Sequence, residues 1–154
     1  MNTLDIFEQI LTERVRPLYA HMSDFHGMNH ITQVTKYARD IACHMSNDTK
    51  FIESCMLAGA LHDCGRKNDD WDTAHAVDGL PIARKFLTEF YPEYDIPEIL
   101  LAISVHPIAH GTYPNHIAEC LCDADRIRLA HYYGYTPEYF ATCRGRTLAQ
   151  TQEQ

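Results

Sequence analysis

The dipeptide His62-Asp63, in the string Ala-Leu-His-Asp-Cys-Gly-Arg, closes an apolar stretch that runs from Phe51 to Leu61. An imidazole next to a carboxylate at the end of a buried helix is costly to leave without a partner, and a bound cation offsets that cost. Other metal-ligand residue types flank the pair: His30 upstream, and His75, His106 and Asp125 downstream. Imidazole nitrogens and carboxylate oxygens together suit Mn, Fe, Co, Ni or Zn. No thiolate is needed, which sets a structural zinc cage aside. Asp63 has two oxygens and can serve two ions. His30, His62, Asp63 and Asp125 then make a first site, and Asp63, His75 and His106 a second. Two ions about 3.5–4 Å apart suit attack of a metal-activated water on a phosphoester. The order His, His-Asp, His, His, Asp therefore reads as a metal-dependent enzyme holding one or two divalent ions.

The elements that must position these groups are helical almost throughout. Leu4, Phe7, Ile10, Leu11, Val15 and Leu18 recur at three- and four-residue steps, the signature of an amphipathic helix, which Pro17 bends or ends late. A loop follows from Ser23 to Asn29. A second helix is expected over about Met28–Met45, with Ile31, Val34, Ala38 and Ile41 on one face. A third, over about Thr49–Asp63 and capped by Asn47 or Asp48, is apolar on most sides and should be central. Gly65–Asp72 reads as polar loop. Further helices are expected over about Thr73–Phe90 (Val77, Leu80, Ala83, Phe86 and Leu87 facing inward), Pro97–His106, Asn115–His131 and Thr136–Ala149, the last capped by Thr136. The tail Gln150–Gln154 is expected to fray. No segment alternates with period two. The fold class is all-α, a single-domain bundle of about six to seven helices. At about 100° per residue, His30, His106 and Asp125 each fall at the border of an apolar face. Polar side chains converging from several helices are how bundles hold metals.

The chain has 154 residues, enough for one domain with a real core. Its hydrophobic (45%) and charged (22%) fractions are those of an ordinary globular protein. A net charge of −8, with no Lys/Arg stripe to neutralise phosphates, excludes a nucleic-acid-binding module. A small phosphorylated substrate stays compatible, because a local site can be positive on a negative protein. The six cysteines (Cys43, Cys55, Cys64, Cys120, Cys122 and Cys143) form no Cys-x-x-Cys pair and read as reduced, packed thiols. With no apolar run of membrane-spanning length and no signal-peptide start, the expected setting is cytoplasmic, with no membrane partner and with a homodimer left open.

Three strings carry a resemblance: Asn29-His30-Ile31-Thr32-Gln33-Val34, Ala60-Leu61-His62-Asp63-Cys64-Gly65-Arg66, and Asp123-Ala124-Asp125-Arg126-Ile127. The chain resembles the HD-domain superfamily of metal-dependent phosphohydrolases, over about residues 26 to 130. The resemblance implies an all-α core of five or more helices, with metal bound by the first His, the His-Asp pair and a late Asp. His75 and His106 resemble the two extra histidines of binuclear members. The run from His26 to His30 and the loop from Arg66 to His75 resemble a small subgroup of the superfamily. Where Arg66 stands, many relatives carry Lys; Arg keeps the charge and adds bidentate phosphate binding but is a poor proton donor, which leaves Lys67 as the neighbour able to substitute. Asp123 and Asp125 compete for the last ligand position. Asp125 is preferred, because it precedes Arg126 as the family's ligand precedes a Lys or Arg, and because it lies nearer the apolar face.

The expected function is hydrolysis of a small phosphorylated molecule, a nucleotide among the candidates. Asp63 orients the water, Arg66 and Lys67 neutralise the developing phosphoryl charge, and Arg126 and His26 join Arg66 in binding substrate, with pairing to Asp123 as the alternative for Arg126. The alternatives are a di-iron oxygenase of the same superfamily and a non-catalytic domain kept folded by its metal. Asp69 or Asp72 is expected to support ligating histidines or simply to be solvated. Trp71, Tyr132, Tyr133 and Tyr135 are expected to pack, with a substrate ring stacking on one of them as the alternative.

Overall fold

The computed structural model describes residues 1–152, and among them every regular element is helical. The helices are α1 (Thr3–Val15), α2 (Met28–Met45), α3 (Thr49–Leu61), α4 (His75–Asp78), α5 (Leu80–Phe90), α6 (Ile96–Val105), α7 (His116–Tyr133) and α8 (Cys143–Thr151), with single 3-10 turns over Arg16–Tyr19 and Pro137–Tyr139. The seven longer helices match the expected bundle. None of them is long and apolar enough to cross a membrane.

α3 is the axis of the bundle. Every residue from Ile52 to Leu61 is buried, and α1, α2, α6 and α7 pack around it. Local chemistry sets the ends of the elements. Asn2 and Asp5 form a reciprocal capping box at the start of α1. Asp48 caps α3 by accepting from the Lys50 N–H at 3.0 Å. Asn115 caps α7 through the Ala118 N–H at 2.8 Å, and Gly134, with φ at 88°, ends it in the left-handed region that glycine tolerates. Pro17 lacks the N–H that would continue α1, so the helix tightens into the 3-10 turn at Arg16.

Two expected helices are interrupted. The Thr73–Phe90 segment breaks at Gly79, giving the one-turn α4 and then α5, with Pro81 near the start of α5. The cause is tertiary. A Cβ on Gly65 would lie 2.2 Å from the His75 carbonyl oxygen and 2.4 Å from the Gly79 nitrogen, so two glycines let the backbones touch and fold the His-Asp loop back onto α4. Val77, expected in the core, is consequently 59% exposed. The Thr136–Ala149 segment is also not one helix. Asp123 takes the N–H groups of Ala141 and Thr142, each at 2.8 Å, and the Thr142 hydroxyl, which leaves Phe140 extended and starts α8 afresh with Thr142 as cap. Of the tail expected to fray, Gln150 and Thr151 belong to α8, while Glu153 and Gln154 lie outside the described residues.

Candidate metal centre

The two helices that end at the centre position their histidines by the same device. The last carbonyls of a helix have no N–H partner within it. At the end of α3 the Gly59 carbonyl accepts from His62 Nδ1 at 2.7 Å, and the Ala60 carbonyl accepts from the Tyr19 hydroxyl at 2.7 Å. At the end of α6 the Ile103 carbonyl accepts from His106 Nδ1 at 2.7 Å. A carbonyl only accepts, so Nδ1 carries the proton in both rings and Nε2 points inward with a free lone pair. His75, opening α4, has Asp72 Oδ1 at 2.7 Å from its N–H and 3.3 Å from its Nδ1. His30 comes from the first turn of α2 and Asp125 from the middle of α7.

These groups converge. His30 Nε2 lies 3.3 Å from His62 Nε2, and His75 Nε2 lies 3.1 Å from His106 Nε2. Asp63, with its side chain 2% exposed, sits between the two pairs. Its Oδ2 is 3.4 Å from both His30 and His62 Nε2. Its Oδ1 is 3.2 Å from His75 Nε2 and 3.7 Å from His106 Nε2. Asp125 Oδ1 adds contacts of 3.2 Å to His30 and 3.4 Å to His62. Burial alone would raise the pKa of both carboxyls, but positive charge on the surrounding imidazoles, His62 foremost, pulls them well below the usual carboxylate range, and a bound cation would supply the same charge where the rings are neutral. Burial likewise disfavours charge on His30, yet Asp125 and Asp63 outweigh it and raise its pKa.

The cluster floors a cavity of about 390 Å³. Arg66 lines its wall. The guanidinium donates to the Asp70 carbonyl at 3.2 Å, and its buried Nε is ion-paired to Asp63 Oδ1 at 3.1 Å without hydrogen-bond alignment. His26 also faces the cavity, its Nδ1 2.8 Å from Asp69 Oδ1. Burial lowers its pKa against the pull of Asp69.

Not every expected site residue is here. Lys67 is exposed and lines a shallow depression on the far side of the loop, with Asn68 and Asp78. In the turn that closes with Arg66 N–H on the Asp63 carbonyl, neighbouring side chains diverge, so Arg66 reaching inward sends Lys67 outward. Arg126 does not line the cavity either. It is buried and donates to the Ala109 and Tyr139 carbonyls and the Tyr113 hydroxyl, tying the loops that follow α6 and α7. The two aspartates part as well: Asp125 joins the cluster, whereas Asp123 turns to the start of α8.

Other residues enter unannounced. Arg128 lines the cavity mouth, donates to the Phe25 carbonyl and lies 4.4 Å over the Phe25 ring. Its spacing three residues after Asp125, one helical turn on, was the available signal. His21, which carried no motif, pairs with the Arg66 carbonyl at 2.8 Å and steadies the His-Asp loop.

A family model, the HD domain, matches residues 27–130. The chain belongs to the HD-domain family. A solved structure described as a predicted HD superfamily hydrolase, from an uncultured Thermotogales bacterium, shares the fold. It is 24% identical, covers 99% of this chain and 91% of its own, and has a TM-score of 0.71. A search of curated proteins finds no match.

The centre of this HD domain fits a divalent cation on its own chemistry. His62 and His106 spend their ring protons on backbone carbonyls, so their Nε2 lone pairs face other Nε2 atoms at 3.3 and 3.1 Å. Lone pairs gathered at that separation repel unless a cation or proton lies among them. Three triads each bring ligand atoms within 4.8 Å of one another: His30, His62 and Asp63; His62, His106 and Asp125; Asp63, His75 and His106. Tetrahedral and octahedral metal sites are built from donor sets of this kind.

Proposed function

We propose that the chain is a metal-dependent phosphohydrolase acting on a small phosphorylated molecule, with nucleotides among the candidates. The observation that carries this reading is Asp63, whose two oxygens divide between the two imidazole pairs while the Arg66 guanidinium stands beside it, its Nε ion-paired to Oδ1 but not hydrogen-bonded. Mn, Fe, Co, Ni or Zn matches the donors. One or two such ions would be held by His30, His62, Asp63 and Asp125, and by Asp63, His75 and His106, supplying Lewis acidity and a stronger water nucleophile at neutral pH.

The chain's own residues supply the rest. Asp63 and Asp125 stay ionised under the influence of the imidazoles and so accept hydrogen bonds from water at the cavity floor. Arg66, fixed by Asp70, directs a planar cation into the cavity, where it can pair with phosphoryl oxygens bidentately. His26, kept neutral by burial and oriented by Asp69, offers its second ring nitrogen to substrate. Asp72 locks the His75 ring. The Thermotogales relative is described as a hydrolase, which supports the same class. Six unpaired thiols support a reducing, cytoplasmic setting.

The test is a screen of phosphoesters with protein loaded with Mn or Co, comparing wild type with Asp63→Ala. Turnover should fall by more than about 100-fold in the variant, beyond what losing a supporting partner costs. Equal activity in the two proteins overturns the proposal. The di-iron oxygenase reading draws on the same ligands. It predicts bound iron and an oxygen-dependent spectral change, whereas the guanidinium beside Asp63 favours phosphoryl chemistry.

A further inference from the structure

The floor of the cavity is charged and its mouth is aromatic. Trp71, in the loop between the His-Asp pair and His75, is 89% exposed; Tyr133 and Tyr132, in the last turn of α7, are 83% and 58% exposed; Phe25 is 51% exposed. All four line the same cavity as Asp63 and Asp125. Scattered exposed rings need no explanation, but apolar groups gathered at one opening mark a binding surface. These four come from three separate segments. Arg128 holds a positive charge at the same rim, braced by the Phe25 ring and carbonyl. At about 390 Å³ the cavity is near the lower limit for small-molecule sites, large enough for one ring and a phosphate and too small for a polymer.

We infer that the mouth is a ring-binding subsite: the substrate is a phosphomonoester bearing a single planar aromatic or heteroaromatic ring system, the ring against Trp71, Tyr132 and Tyr133 and the phosphate on the floor beside Arg66. The inference rests on the phosphohydrolase reading and narrows its substrate class. Rings are selected because stacking on an aromatic side chain is favourable beyond area burial and is indifferent to the ring's hydrogen-bond pattern. An aliphatic phosphate leaves the rim wet.

Trp71 is the sole tryptophan of the chain, so its fluorescence reports on the subsite without any turnover. Zn-loaded protein is titrated with phenylphosphonate and, separately, with propylphosphonate; neither can be hydrolysed at its C–P bond. Phenylphosphonate should change the Trp71 emission saturably and bind at least about fivefold more tightly than propylphosphonate. By calorimetry, Trp71→Ala and Tyr133→Ala should each shrink that preference by about two- to tenfold, and Trp71→Phe should restore most of it. Equal affinity for the two phosphonates with an unmoved Trp71 emission overturns the inference. The phosphoester screen is read separately. Absence of turnover with ring-dependent binding intact removes the hydrolase and leaves the subsite, whereas turnover indifferent to rings removes the subsite and leaves the hydrolase.

Discussion

Asp63→Ala distinguishes a shared carboxylate from a set of independent ligands. Asp63 faces His30 and His62 through Oδ2 and His75 and His106 through Oδ1, so one substitution removes a donor from both halves of the centre. His75 faces only the second half. At metal concentrations about a thousandfold above Kd, each occupied site stabilises the fold by about 4.1 kcal/mol. In a chain of this size 1 kcal/mol moves Tm by about 2–4 °C, so each site is worth about 8–16 °C.

The assay is thermal unfolding with saturating Mn or Co and again with EDTA, with bound metal counted by mass spectrometry. Comparing the metal-dependent shift, rather than absolute Tm, removes the cost of the cavity that alanine leaves. With both halves occupied, wild type should lose two increments on chelation. His75→Ala should show one increment and one ion. Asp63→Ala should show neither, although it too lacks only one side chain. A variant lacking Asp63 that keeps two ions and the full shift refutes the bridging geometry. One that keeps a single ion assigns Asp63 to one half alone.

Gly65→Ala should cost about 3 kcal/mol or more, because the new Cβ meets only backbone, at 2.2 and 2.4 Å, and it should weaken the second site by moving His75; a variant of unchanged stability in urea refutes the Gly65–Gly79 approach. Arg126→Met strands the Ala109 and Tyr139 carbonyls that the guanidinium satisfies and should cost about 2–4 kcal/mol with KM unchanged; a raised KM at wild-type stability returns Arg126 to substrate binding. Burial first, with Asp63 adding to it, pushes the Cys64 thiol up to about 12, and burial does the same for Cys122. Because thiolate is the reactive form, a thiol reagent at pH 8 should label only Cys43 and Cys143 rapidly, the two exposed among the six cysteines; fast labelling of a third in the native protein counts against the packing.

The residues that converge at the centre were legible in the sequence because their types are expensive where helical periodicity places them. A histidine, an aspartate or both at the inner border of an apolar face invites the question of what offsets the burial, and His30, His62, Asp63, His106 and Asp125 all do so. The breaks in the helices were not legible. The break at Gly79 depends on Gly65, fourteen positions earlier in the chain, and the break before α8 depends on Asp123, which belongs to a different helix; local periodicity contains neither partner. Arg126 misled for a related reason. It follows Asp125 directly, but on a helix the next residue is rotated by about 100°, so it faces the loops after α6 and α7 while Asp125 faces the cluster. Arg128, a turn on from Asp125, recovers its direction and reaches the cavity rim.

The positions of His62 and His106 immediately after helix ends follow from what an imidazole needs before it can ligate. Within a helix each carbonyl already accepts from the N–H four residues on, so a ring proton there must share an engaged acceptor, as His44 does on the Asp40 carbonyl at 2.9 Å. Near the end the carbonyls lose that partner, and both histidines, one residue past it, use the carbonyl three residues back: Gly59 for one, and for the other Ile103, which also takes the His106 N–H. The ring is thereby fixed in the tautomer that leaves Nε2 as a donor to metal. The same placement aims the C-terminal poles of α3 and α6 at the cluster, and each pole carries partial negative charge. Two ionised carboxylates stand at the same point. Negative poles, carboxylates and inward lone pairs all raise the energy of the empty centre and lower that of one holding a cation. The fold therefore encodes the sign of its ligand in the helix directions as well as in the residues that touch it. Reversing either helix would keep the histidines near the cavity and lose both the tautomer lock and the attraction.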